Sequence, residues 1–167
     1  VNNPIRLAMG WFIVATSPLP PSSLLLSYWM GGAFLMGVKR YSEFRFIGDP
    51  VLAGQYRRSF RFYDGDKLLT SSLFYALTSA FLGGVFLVKY KLELIFTLPF
   101  FAGMFAWYFH IGLKPNSAAQ HPERMHKERK FLAYVATVAV ISAVLVAAKI
   151  PSLNYLLENA FLSDVTQ

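Results

Sequence analysis

Four stretches of the chain carry no Asp, Glu, Lys or Arg, and they constrain its fold more than any motif does. They are Leu7–Val38, Leu68–Val88, Leu94–Leu113 and Phe131–Ala148. A bilayer core of about 30 Å is crossed by about 20 apolar residues in helical form, with a range of about 17–25. Three of the runs fit one crossing each. The first is too long for one and is interrupted by Ser17-Pro18-Leu19-Pro20-Pro21-Ser22-Ser23. Proline lacks an amide hydrogen and clashes with the preceding turn, so this cluster reads as a tight hairpin between two spans. The expected fold is an all-α integral membrane protein, a single bundle of about five transmembrane helices over 1–150. The spans are expected at 4–17, 22–38, 68–88, 94–113 and 131–148, with a C-terminal tail at 151–167.

Composition agrees. Of the 167 residues, 55% are hydrophobic and 15% charged, where a soluble domain is about a quarter charged. Mean hydropathy is +0.42. There is no cysteine, which removes disulfides, thiolate catalysis and cysteine metal sites. The first residues show no basic segment ahead of a short apolar core, so a cleavable signal peptide is not expected. The chain begins with Val1 rather than Met, and a preceding segment is therefore an expectation.

Five crossings place the N-terminus and the segments 39–67 and 114–130 on one side. The turns at 18–23 and 89–93 and the C-terminal tail fall on the other. The first side holds thirteen of the sixteen Lys and Arg residues, the second only Lys89, Lys91 and Lys149. The positive-inside rule makes the two long loops cytoplasmic and the tail non-cytoplasmic; the compartment expected is a bacterial cytoplasmic membrane. Trp11, Trp29, Tyr90, Trp107 and Tyr155 lie near expected span ends, where aromatic side chains anchor at the interface. Gly31-Gly32, Gly37, Gly83-Gly84 and Gly103 offer small positions for close helix packing. No span carries Asp, Glu, Lys or Arg in its middle, which argues against a pump or transporter. His110 sits near the cytoplasmic end of its span and reads as interfacial.

Asp49-Pro50 is a helix start, with Asp to cap the free amides and Pro at the first position. From there Leu52, Tyr56, Phe60 and Tyr63 recur at helical spacing, with Arg57, Arg58 and Arg61 on the remaining surface. This predicts a short amphipathic cytoplasmic helix, then a turn at Tyr63-Asp64-Gly65-Asp66, with Asp66 capping the next span. The helix has two readings. In one it lies in the headgroup region with its arginines on lipid phosphates. In the other it is a basic lid over a phosphate or diphosphate site, since the arginine fork grips phosphate oxygens bidentately. Lys39 and Arg40 would form the opposite wall.

In the second loop Pro122 is expected to start a helix continuing into the last span. Glu123–Lys127 and Arg124–Glu128 are its i,i+4 pairs. His121 and His126 are five apart and do not share a helical face, so solvated helix is the reading. No P-loop, HExxH, GxSxG or GxGxxG occurs. Topology accounts for the basic residues, so nucleic acid is not an expected partner.

From Asn3 to about Glu158 the sequence resembles the C-terminal half of the UbiA superfamily of intramembrane prenyltransferases. The residues that carry the likeness are NPIRLAMGWFIVATSPLPPSSLLLSYWMGGAFLMGVKRYSEFR, with AGQYRRSFRFYDGDKLL after them. GVKRYSE looks most like the branch that joins polyprenyl phosphate to phosphoribosyl diphosphate. The resemblance implies that these five spans are the last five of nine. It implies that Lys39, Arg40, Tyr41 and Glu43 match the second of two polar motifs, and that Mg²⁺ bridges the diphosphate. Such a cation neutralises leaving-group charge. The first motif, an NDxxD-like run, occurs nowhere in these residues.

Two classes of function follow. One is prenyl or phosphoribosyl transfer to or from a polyprenyl lipid. It uses Lys39, Arg40, Tyr41, Arg57, Arg58 and Arg61 on the diphosphate, Glu43 and Asp49 as candidate metal ligands, and needs the missing half from elsewhere. No catalytic residue is assigned. The other is a non-catalytic accessory or structural subunit of a larger respiratory or photosynthetic membrane complex, holding lipid or quinone.

Overall fold

A computed structural model describes residues 2–14, 20–90, 92–115 and 117–147. Every regular element among them is helical. The α-helices are α1 (Asn2–Val14), α2 (Ser22–Ile47), α3 (Pro50–Tyr56), α4 (Gly65–Tyr90), α5 (Leu98–Leu113) and α6 (Arg129–Ala147). Short 3₁₀ segments cover Arg58–Arg61, Leu92–Thr97 and Pro122–Lys127. Residues 17–19 of the expected hairpin and the tail at 151–167, with Tyr155, lie outside the described residues.

Two runs are long and apolar enough to cross a membrane, Gly65–Tyr90 and Glu93–Leu113. The second begins as 3₁₀ and continues as α5. The 16 residues of α5 alone reach about 24 Å at 1.5 Å per residue. The 3₁₀ segment rises about 2.0 Å per residue and brings the run past the thickness of a bilayer core.

The spine is the antiparallel pair α2–α4. Its seam is polar and small: Ser27 lies against Ser79 and Gly83, Gly31 against Ser79, and Gly37 against Ser72. A Cβ on Gly37 would stand 2.6 Å from the Ser72 Oγ, so the two backbones meet at a distance only glycine allows. Phe34 and Val38, both buried, close the seam against Phe105, Tyr108 and Phe109 of α5. Gly112 of α5 packs directly on Val38. Ile111, Phe131 and Ala118 form a further buried cluster between α5, α6 and their connection.

The α5–α6 connection folds inward. Ser117, Ala118 and Ala119 are buried. The Ser42 and Ser117 hydroxyls lie 3.0 Å apart, and the Gln120 amide donates to both the hydroxyl and the carbonyl of Ser42. A buried polar loop is stable only when its groups find such partners, and here α2 supplies them.

Several expectations are corrected. The second helix runs on past the expected span at 22–38, through to Ile47. Tyr41, Phe44 and Ile47 recur at helical spacing and pack on Ala53, Phe60 and Leu68. It ends at Gly48, whose φ of 70° places it in the left-handed region that suits glycine. The amphipathic helix is not continuous. Asp49 caps α3 as expected, accepting from Val51 N at 2.7 Å and Leu52 N at 3.4 Å. The chain then turns extended at Arg57 (φ −148°, ψ 121°) and resumes as 3₁₀. The expected apolar face is thereby split: Phe60 turns inward, while Leu52, Tyr56 and Tyr63 stay exposed.

The cap of α4 is Asp64, not Asp66. Its carboxylate accepts from Lys67 N at 2.8 Å. Pro122 starts a 3₁₀ segment that breaks at Glu128 before α6 begins. Residues three apart eclipse in a 3₁₀ helix, so the i,i+4 charge pairs are not formed. Glu123 pairs with His121 instead, at 3.1 Å. Trp107 is half-buried against Phe131 and Tyr134.

Candidate functional site

A cavity of 1490 Å³ is walled by residues of α1, α2, α4, α5 and α6. Small-molecule pockets run about 300–1,000 Å³, so this one is sized for something longer. Its walls are mostly Leu, Met, Phe, Ala and Gly residues, with Tyr28, Trp29 and Tyr108 as larger contributors that carry a polar group. The serine and threonine hydroxyls on the wall are already committed. Ser27 and Ser79 donate to each other's carbonyls, Thr97 to Leu94 and Ser142 to Val138. Among the described residues no Asp, Glu, Lys or Arg lines it. An uncharged cavity with satisfied hydroxyls favours an apolar chain, because burying a charge there has no counter-charge to offset it.

Beside it lies a smaller cavity of 290 Å³, sharing Ala33 and Met36 with the first and lined also by Arg40, Tyr63, Ser71 and Tyr75. Arg40 is one helical turn beyond Met36 on α2. Its Nη1 donates to Glu43 Oε2 at 2.8 Å. The same oxygen lies 3.7 Å from Arg57 Nη2. One carboxylate, only 11% exposed, thus serves two guanidinium groups. Arg57 also sits over the Tyr56 ring at 5.8 Å, and its Nε is buried without a hydrogen-bond acceptor among the described residues.

The expected site residues divide. Arg40 and Arg57 come together through Glu43, across the break that separates α3 from its 3₁₀ continuation. Lys39 is half-buried beside them in sequence, outside that ion-pair cluster. Tyr41 points elsewhere, stacking on Phe109 with ring centroids 6.1 Å apart. Arg58 and Arg61 are exposed, and the Arg61 stem covers the buried Gly54. Glu43 and Asp49 are not brought to a common point, since one holds arginines and the other caps α3. Among the described residues no three His, Asp or Glu converge as a metal site. Glu43 and Asp49 therefore do not together offer the paired carboxylates on one side of a phosphate that a magnesium ion takes.

Sequence reasoning missed Ser71 and Tyr75 on the small cavity and the Ser42–Ser117–Gln120 network. The i,i+4 spacing of Ser71 and Tyr75 is the signal that points to the former. No family model matches the chain, and no curated protein or solved structure does either.

Proposed function

We propose that this chain is a membrane-embedded helical bundle that holds a long apolar chain, a lipid or polyprenyl tail, between its helices. The carrying observation is the inside-out pattern of α4. Ser72 and Ser79 are buried, while Leu73, Leu77, Phe81, Val85 and Val88 form an exposed stripe at 59%, 63%, 70%, 43% and 57%. Their spacing of four, four, four and three keeps the stripe on one face along the helix. Soluble proteins rarely expose so continuous an apolar face, whereas lipid is a natural neighbour for it. Val140 and Val144 on α6 and Phe12 and Ile13 on α1 face outward as well. We extend the reading to five crossings, with 39–67 and 114–130 on the cytoplasmic side, from the charge asymmetry.

Within that class, the KRYSE stretch and the cavity above it support a UbiA-type transferase acting on a polyprenyl lipid, completed by residues outside this chain's described acids. A second reading has its own support. Because Glu43 and Asp49 are engaged in structural roles, a non-catalytic subunit that keeps lipid or quinone for a larger membrane complex fits the same geometry.

Native mass spectrometry of the purified chain from nanodiscs tests the shared part. Gly32 lines the large cavity, and a Cβ there meets nothing within 4 Å. Gly32→Phe places a bulky ring at that wall, starting from a Cβ with no close neighbour. A retained lipid adduct on the wild type that is absent from Gly32→Phe is expected; equal adducts on both would refute the cavity as the holding site.

A further inference from the structure

We propose that the turn 121–128 between α5 and α6 is a hinged flap over the aqueous end of the large cavity, with Met125 as the plug that leaves and re-enters it. Burial along this turn repeats every three residues. Met125 and Glu128 are half-buried, while Glu123, Arg124, His126 and Lys127 are exposed. Residues three apart eclipse in a 3₁₀ helix, so one face of the turn points inward, and Met125 is the apolar side chain on it. Met125 packs on the Ile111–Ala118–Phe131 cluster and lines the cavity. The charged residues around it are costly in a bilayer core, which puts this end of the cavity at water.

The bonding of the turn is closed on itself. Arg124 N donates to His121 O at 2.8 Å, and Glu128 N to Met125 O at 3.0 Å. His126 Nδ1 lies 2.7 Å from Glu123 O, and His121 Nδ1 lies 3.1 Å from Glu123 Oε1. Among the described residues, no side-chain hydrogen bond or ion pair ties 121–127 to another element.

The chain on either side is fixed. Gln120 is bonded to Ser42, and Ala118 and Ala119 before it are buried. After the turn, Leu132 N donates to Glu128 O at 3.0 Å as α6 begins. The backbone leaves helical geometry at two points, His121 (φ −122°, ψ 83°) and Glu128 (φ −80°, ψ 61°). These are the hinges. A turn braced within, fixed at both ends and joined to the bundle through one apolar side chain moves as a unit. Methionine suits the plug, because its unbranched thioether chain has three rotatable bonds and fills irregular gaps. That a lipid tail is what passes the flap rests on the lipid-holding reading; the flap itself does not.

The test uses cysteine reporters in the full chain, in phosphatidylcholine nanodiscs. Val135 and Ser142 both line the cavity on α6, seven residues or about 10 Å apart along the helix. Val135→Cys and Ser142→Cys are each reacted with a methanethiosulfonate that carries a trimethylammonium group, which reaches them from water and not through lipid. Val135→Cys is expected to react several-fold faster than Ser142→Cys. Met125→Ala should raise the Val135→Cys rate tenfold or more, and Met125→Leu, which keeps the volume, should stay within threefold of the starting rate. Equal or reversed rates at the two reporters overturn entry from this end. A rate at Val135→Cys that ignores Met125→Ala, or that rises as much in Met125→Leu, overturns the plug. Amide exchange separates gating from general loosening. Met125→Ala should speed exchange at 123–128 and leave Ser72 and Ser79 on α4 unchanged, whereas an equal rise at all of them overturns the flap as a unit. A chain without a retained lipid adduct that keeps the Met125 dependence loses the lipid-holding reading and keeps the flap; adducts retained without that dependence do the reverse.

Discussion

Ser27 and Ser79 exchange hydrogen bonds across the α2–α4 seam, each hydroxyl donating to the other's backbone carbonyl at 2.9 Å. The pair is reciprocal because the helices run antiparallel and meet where neither carries a large side chain. In water such a contact is a poor reason for two helices to associate. In lipid the tails are as apolar as leucine, so packing of small residues and interhelical hydrogen bonds take over that task. On the proposed membrane reading, the serines inside and leucines outside on α4 are two consequences of one solvent.

Ser27→Ala and Ser79→Ala each remove one donor from a carbonyl that keeps its helical partner. Each is expected to cost about 0.5–1.5 kcal/mol, toward the low end because polar contacts between membrane helices average about 0.6 kcal/mol. Reversible unfolding in mixed micelles measures both singles and the double. A cost near zero for the double mutant would show that the seam is held by shape alone.

Gly37→Ala puts a methyl group 2.6 Å from the Ser72 Oγ, inside any permissible contact. Ser72 is fully buried and its hydroxyl is tied to Leu68 O at 2.8 Å, so it cannot swing aside freely. Overpacking of this kind costs about 1–3 kcal/mol. Adding Ser72→Ala removes the clashing oxygen and should recover much of the loss, because the remaining Cβ is 3.5 Å away. Absence of rescue in the double mutant would place the strain in the backbones instead.

The core of this architecture is legible in the sequence, and its edges are not. Uncharged runs locate α1, α2, α4, α5 and α6 because desolvation is a property summed over a whole segment. Asp49-Pro50 is legible because capping is local. The run of α2 through Lys39, Arg40, Glu43 and Arg45 is hidden behind its charges: Tyr41, Phe44 and Ile47 continue the buried face, but what they bury against is a later part of the chain. The break at Arg57 has no breaker residue to announce it, since Phe60 reaches Phe44 at 5.6 Å between ring centroids only if the helix opens there. The arginine–glutamate cluster is half legible. Its members stand out as clustered charge, but their pairing through Glu43 depends on that same break. The Ser42–Ser117–Gln120 network links residues more than seventy apart, and no periodicity carries such information.

Asp64 gives a pH signature at the start of α4. The hydrogen bond from the Lys67 amide, then the Lys67 side chain at 3.1 Å, holds its carboxyl below the ordinary carboxylate range. A depressed folded-state pKa means that the stabilisation is complete above the unfolded value, about 3.9. It is lost as pH falls through the lower folded value. Amide exchange at Lys67 and Leu68 is therefore expected to accelerate below about pH 4, and Asp64→Asn should remove that acid step. An unchanged acid profile in Asp64→Asn would assign the step to another group.

Gln120 tests the inward fold of the α5–α6 connection. Its amide is the donor to Ser42 O at 3.2 Å and Ser42 Oγ at 3.0 Å. Gln120→Ala leaves Ser42 and Ser117 bonded only to each other, so the segment should open more often. Trypsin cleavage after the exposed Lys114 and Arg124 is expected to speed up several-fold while the global unfolding midpoint moves little. Equal cleavage rates in mutant and wild type would show that the buried alanines hold the loop without help.

The crossing of α4 and α5 is testable because the chain contains no cysteine, so single substitutions report cleanly. Ser59 in the 3₁₀ turn, Lys89 at the end of α4 and Lys114 after α5 are all exposed, which makes Ser59→Cys, Lys89→Cys and Lys114→Cys suitable reporters. A membrane-impermeant maleimide added to intact cells should label Lys89→Cys alone, and inverted vesicles should label the other two. One helix separates the first pair of positions and one the second, so each comparison isolates a single crossing. Labelling of Ser59→Cys and Lys89→Cys from the same side would mean that α4 does not cross. The exposed stripe from Leu73 to Val88 would then need a protein surface, not lipid, against it. Labelling of Lys89→Cys and Lys114→Cys together would leave α4 spanning and bring α5 back as a re-entrant segment. In that arrangement the large cavity would open toward water at one end, and a lipid tail would no longer be its natural occupant.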